Sequence, residues 1–156
     1  TQGVSSAASD VYKRQDLSLP VEGLRDMMAR FDAGADVVIG SRTAPGSRVE
    51  GAPPAGRDVM SKVFNLVVQA LAVPGLGDTQ CGFKGFTARA AANIFRTATS
   101  DRFGFDVEAL YLARKFGYGV VEMPVVCRYH GGSSVNRLRD GAGMFAEIIR
   151  IRIRHR

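Results

Sequence analysis

The chain has 156 residues, 46% of them apolar and 23% charged, a composition that suits one globular domain with a buried core. No apolar run approaches the roughly 20 residues of a membrane-spanning helix, and residues 1–15 lack the apolar stretch of a signal peptide. The formal charge is +6, and from Arg137 onward six arginines (137, 139, 150, 152, 154, 156) stand against Asp140 and Glu147. That excess suits either an anionic partner or a plain solvated face.

Residues 1–15 carry neither helical nor strand periodicity. Pro20 is placed to begin a helix whose apolar face is Leu24, Met27, Met28 and Phe31, with Gly34 as its stop. "DVVIG" (36–40) reads as a buried parallel strand, and the Pro/Gly-rich stretch 41–56 as a long loop of the functional or mobile kind. Met60, Val63, Phe64, Val67, Val68 and Leu71 form the next helical stripe, closed by "VPGLG". The nonapeptide "DTQCGFKGF" (78–86) follows, and Thr87 is placed to cap a helix carrying Ala91, Ile94 and Phe95. A further helix spans Phe105 to Phe116, with Val107, Leu110 and Tyr111 inward and Gly117 as its stop. "GVVEMPVVCRY" (119–129) reads as a strand with Pro124 at an edge or bulge. From about Asn136 a last amphipathic segment runs into "IIRIRIRHR". Strands alternating with helices predict an α/β layer fold with a thin sheet of two or three strands.

The polar residues gather in loops and at element ends. Asp16 precedes the first helix, as either a cap or a metal ligand, where α/β proteins place ligands. Ser41 and Arg42 follow a buried strand and suit a phosphate or a carboxylate. Asp78, Gln80 and Lys84 crowd one turn, either converging on a polar substrate or forming a turn with a salt bridge. Asp106 and Glu108 share a first helical turn that favours acids, and their spacing sends them in different directions, so at most one faces a given site. Arg57, Ser61 and Asn65 recur on one helix face. Arg128 ends a strand, and "GGSSVNR" adds Ser133, Ser134 and Arg137 to form a ready anion site. Neither zinc spacing nor aromatic interleaving accompanies these charges, which sets nucleic acid aside. Cys81 and Cys127 lack metal-ligand spacing and read as free thiols in a reducing compartment.

In order, "DLSLP", "ADVVIGSR", "GRDVMSKVFN", "DTQCGFKGFTARAA", "RFGFDVEALYLARKFGYGVVEMPV" and "GGSSVNRLRD" resemble the family-two glycosyltransferases that make polyprenyl-phosphate sugars. The nearest branch is that of the dolichyl-phosphate glucosyltransferases and mannosyltransferases. The resemblance implies the C-terminal part of a GT-A, Rossmann-like fold and inverting transfer of a hexose from UDP-glucose or GDP-mannose to a polyprenyl phosphate. It implies catalytic-site roles for Asp78 and Asp106, sugar and donor contacts for Gln80, Lys84, Ser41 and Arg42, and lipid-phosphate contacts for Arg57, Arg128, Ser133, Ser134 and Arg137. Asp16 matches the second acid of the family's Asp-x-Asp motif, which holds Mg²⁺ or Mn²⁺. Arg14 stands where the first acid belongs, and the polar "AASDVYKRQ" is no apolar strand. Residues 1–15 therefore read as a foreign leader, 16–135 as a partial catalytic domain and 136–156 as a basic amphipathic helix. Such a chain is expected to be inactive alone, and its parent to work in the cytoplasm at the inner, anionic face of a membrane. The rival reading is a non-catalytic basic module for membrane surfaces or partners.

Overall fold

Val37, Val38 and Ile39 are wholly buried, and a strand buried on both faces needs a layer on each side. The computed structural model describes residues 22–51, 57–100, 104–128 and 137–155 and supplies both layers. Strand β1 (Val37–Ser41) is the centre of a three-stranded sheet. On one side it runs antiparallel to β3 (Lys84–Phe86), with Ile39 opposite Lys84. On the other it runs parallel to β4 (Val120–Pro124), with Ile39 opposite Glu122 and Ser41 opposite Pro124.

Side chains alternate across a strand, so β1 feeds two cores. Val38 packs with Met27, Cys81, Phe83 and Met123, under helix α1 (Glu22–Asp32). Val37 and Ile39 pack with residues from the four remaining helices: α2 (Arg57–Leu71), α3 (Ala88–Thr97), α4 (Phe105–Lys115) and α5 (Arg137–Arg154). The α/β expectation holds. Thr87 caps α3 as read, its hydroxyl accepting from Ala90 N at 3.3 Å, and Gly34 and Gly117 end their helices with φ of 97° and 76°.

Several expectations need correction. The strand over 119–129 is two strands: β4 ends at Pro124, and β5 (Val126–Arg128) pairs in parallel with β2 (Arg48–Glu50). The switch is made at Val125, whose N–H donates to Ser47 Oγ at 3.2 Å and whose carbonyl accepts from Arg48 N at 3.0 Å. The long loop 41–56 thus contains a strand, and the nonapeptide ends in another. In the first helix only Met27 and Phe31 pack, while Leu24 and Met28 are exposed; in α2, Val63 and Leu71 are exposed. In α5, Ile148 and Ile151 enter the core and Phe145 packs on it, but Ile149 faces out. The C-terminal segment is therefore a packed helix.

Candidate functional site

The carboxyl end of β1 delivers Ser41 and Arg42 beside the turn that carries Asp78. Asp78 is buried, with 1% of its surface exposed. Arg42 grips it as a fork: Nε donates to Oδ2 at 2.6 Å and Nη2 to Oδ1 at 2.8 Å. The backbone N–H of Arg42 adds a bond to Oδ2 at 3.0 Å, and that of Gln80 one to Oδ1 at 3.3 Å. Burial pushes the Asp78 carboxyl up, but the hydrogen bonds and charge of Arg42, with the two amides, outweigh it. The carboxyl is held below its ordinary value, ionised and fixed. Both oxygens are thus engaged within the protein, which makes Asp78 the group that positions Arg42.

The turn is held from behind as well. Glu122 Oε1 on β4 accepts from Gly77 N at 3.0 Å and Asp78 N at 3.1 Å. Ser41 is buried, and its Oγ hydrogen-bonds Thr43 Oγ1 at 3.0 Å.

Lys84 turns away from Asp78. Its Nζ donates to Cys81 O at 2.6 Å and to Asp106 Oδ1 at 3.1 Å, a pair largely shielded from solvent. The nonapeptide is therefore a turn with salt bridges, two of them, whose partners lie outside it. Asp106 and Glu108 diverge, as their spacing requires. Glu108 accepts from Thr99 N, Thr99 Oγ1 and Ser100 N at 2.7 to 3.1 Å and meets His155 Nε2 at 2.7 Å. It ties α4 to the end of α5.

Thr79 Oγ1 and Gln80 Nε2 are buried without a hydrogen-bond partner. A buried polar atom left unmet costs about 1–3 kcal/mol, so both are destabilising features of the turn. Cys81 and Cys127 are free thiols, and burial raises that of Cys81, which makes it inert rather than nucleophilic.

Asp78 is neutralised by Arg42, Asp106 by Lys84, and Glu122 is turned to backbone amides. Among the described residues no group of three or more His, Cys, Asp or Glu is placed to hold a metal ion. Asp16, Ser133 and Ser134 lie outside the described residues. Arg57 opens α2, Arg128 ends β5 and Arg137 opens α5, with side chains that are likewise not described. The structure thus brings together Ser41, Arg42, Asp78 and Gln80, and pairs Lys84 with Asp106 separately.

No family model matches the chain. The dolichyl-phosphate beta-glucosyltransferase of Dictyostelium discoideum is 40% identical over 99 residues, 64% of this chain and 30% of that protein. Glycosyltransferase AglD of Haloferax volcanii is 33% identical over 141 residues, 90% of this chain and 22% of that protein. Over the part it spans, the chain is a relative of the family-two polyprenyl-phosphate glycosyltransferases. The polyprenol monophosphomannose synthase of Mycolicibacterium smegmatis, 31% identical over 105 residues, covers 67% of this chain and 39% of its own length. The chain therefore spans between 22% and 39% of these three relatives. Within this glycosyltransferase-related stretch the residues missed by sequence reasoning are Glu122, Thr79 and the Glu108–His155 pair. The one signal for Glu122 was an acid inside an otherwise apolar strand.

Proposed function

We propose that the chain is the part of an inverting hexosyltransferase that orients a nucleotide-sugar donor for attack by a polyprenyl phosphate of the dolichyl type. The observation that carries this reading is the Arg42–Asp78 clamp at the carboxyl end of β1, the place where open α/β sheets hold ligands. Around it lie a buried hydroxyl and amide with unmet hydrogen-bonding capacity. The relatives named for dolichyl and polyprenol phosphate support the same acceptor class.

The chemistry asks for positioning. A phosphate oxygen is already ionised near neutral pH, so the acceptor needs no strong base. Its negative charge must instead be brought against an anionic donor, and fixed arginines overcome that repulsion. Arg42 takes the donor diphosphate of UDP-glucose or GDP-mannose, with Ser41 beside it. Gln80 addresses the sugar. Arg57, Arg128, Ser133, Ser134 and Arg137 take the lipid phosphate, and Asp106, locked to Lys84, shapes the wall between. Mg²⁺ or Mn²⁺ would be held through Asp16 and would neutralise the leaving diphosphate.

A lipid acceptor places the enzyme at a membrane face, here proposed to be the cytoplasmic one. Among the described residues no helix is long and apolar enough to cross a membrane. Ile149 and Ile153 are exposed on the same helix as Arg150 and Arg152, which suits peripheral contact with an anionic surface.

The test is hexose transfer to polyprenyl phosphate from each donor with Mn²⁺, using the complete natural protein and the 156-residue chain. Transfer by the complete protein and little or none by the chain is expected. No transfer from either donor by the complete protein would remove the reading, and robust turnover by the chain would contradict its partial character.

A further inference from the structure

Glu122 has no part in the roles above, yet it sits behind the clamp. We infer that Glu122 is a positioning residue, which holds the 77–80 turn so that Asp78 can fix Arg42. The inference rests on the proposed role of Arg42 toward the donor only for its catalytic consequence.

Three observations carry it. Parallel pairing of β1 with β4 sets Glu122 opposite Ile39, two residues before the pair Ser41–Pro124, so its side chain stands one row below the strand end that presents Arg42. Cross-strand partners share a face; Ile39 is thereby bracketed by Glu122 on β4 and Lys84 on β3, an acid and a base at one level of the sheet. From that row a single carboxylate oxygen takes the N–H groups of Gly77 and Asp78, two successive amides at the entry to the turn. Two donors on one charged oxygen fix the direction in which residue 78 leaves the backbone, and the Asp78 carboxylate then fixes Arg42 through two further bonds.

The third observation is the fit at residue 77. A Cβ there would stand 2.5 Å from Thr43 Oγ1 and 3.5 Å from Glu122 Oε1. A side chain at residue 77 would thus meet Thr43, in the segment that follows Arg42, while the Glu122 carboxylate stays at ordinary contact distance. The same position thus touches the strand that supplies the acid and the loop that supplies the arginine.

The experiment compares wild type, Glu122→Gln and Glu122→Ala by NMR on the 156-residue chain. It reads amide exchange at Gly77 and Asp78 and the Arg42 Nε–H resonance that reports its bond to Asp78. Glu122→Ala should lower protection at both amides by about tenfold or more, the loss of a charge-assisted acceptor. It should also shift Arg42 Nε–H toward its solvent-exposed value. Glu122→Gln keeps an acceptor oxygen at the same reach and should rescue most of both readouts. Unchanged Arg42 Nε–H in a folded Glu122→Ala, or equal losses in the alanine and glutamine variants, would overturn the inference. If the alanine variant does not fold, a glutamine variant with wild-type Arg42 geometry supports it, and one with the resonance released overturns it. In the complete protein Glu122→Ala should raise KM for the nucleotide-sugar about tenfold with a smaller change in kcat. A protein that transfers no sugar at all would remove the proposed function, while the NMR comparison would still decide the role of Glu122.

Discussion

Replacing Asp78 by asparagine leaves the shape of the turn almost unchanged and removes the charge that Arg42 faces. One carboxylate oxygen becomes an amide NH₂, which faces donors in either orientation: Arg42 N–H and Nε at the Oδ2 position, or Arg42 Nη2 and Gln80 N–H at the Oδ1 position. Breaking a buried ion pair by removing one partner costs about 3–5 kcal/mol. The Arg42 side chain retains 24% exposure, so water recovers part of its charge and about 2–3 kcal/mol is expected, below that fully buried range. At about 2–4 °C per kcal/mol for a chain of this size, Tm should fall by about 5–10 °C. The pH dependence has a definite sign. The folded Asp78 carboxyl titrates below its ordinary value of 3.8, so its stabilisation is fully present above that value and is lost as pH falls through the folded pKa. Asp78→Asn should therefore narrow its gap to wild type as pH drops below about 4. Thermal unfolding followed by far-UV circular dichroism at pH 7 and at pH 3 reads both effects. A variant melting within about 2 °C of wild type at pH 7 would refute the clamp as a stabilising element.

Glu108→Gln should cost about 1–3 kcal/mol, because Glu108 accepts from Thr99 and Ser100 and meets His155 at once; urea unfolding with an unchanged midpoint would show that α5 docks without it. Gly40→Ala should destabilise by about 1–3 kcal/mol through overpacking, since the added Cβ would stand 2.6 Å from Val125 Cγ1; chemical denaturation checks this. Replacing Arg150, Arg152, Arg154 and Arg156 by glutamine should weaken binding to anionic liposomes in low salt, where each basic residue is worth about 1 kcal/mol. Equal sedimentation of the two proteins with vesicles would exclude that contact.

What could be read from the sequence follows from how locally each feature is encoded. "DVVIG" announced a doubly buried strand because both of its faces are apolar. All three residues of Arg48–Glu50 are exposed, and they form a strand because Val126–Arg128 lies alongside, a fact held elsewhere in the chain. The apolar periodicity of α1 and α5 gave the helices correctly but not their inward faces. Leu24, Met28 and Ile149 are apolar at helical spacing, yet the neighbours present reach only Met27, Phe31, Ile148 and Ile151. The same limit applied at the site. Ser41, Arg42, Asp78 and Gln80 stood out as polar residues in loops, whereas their pairing depends on two segments meeting 36 residues apart. Glu122 was hidden because an acid in an edge strand looks the same whether it faces water or a buried turn.

The most direct measurement of the central claim is steady-state hexose transfer from UDP-glucose and GDP-mannose to polyprenyl phosphate by the complete natural protein and its Arg42→Gln and Arg42→Lys variants. Loss of a group that stabilises charge at a reacting centre costs on the order of 10²–10³ in rate. Arg42→Gln should lose that much in kcat/KM, and Arg42→Lys, with charge but no fork, should recover only a small part. Near-normal turnover by Arg42→Gln would contradict a donor-orienting clamp at the end of β1.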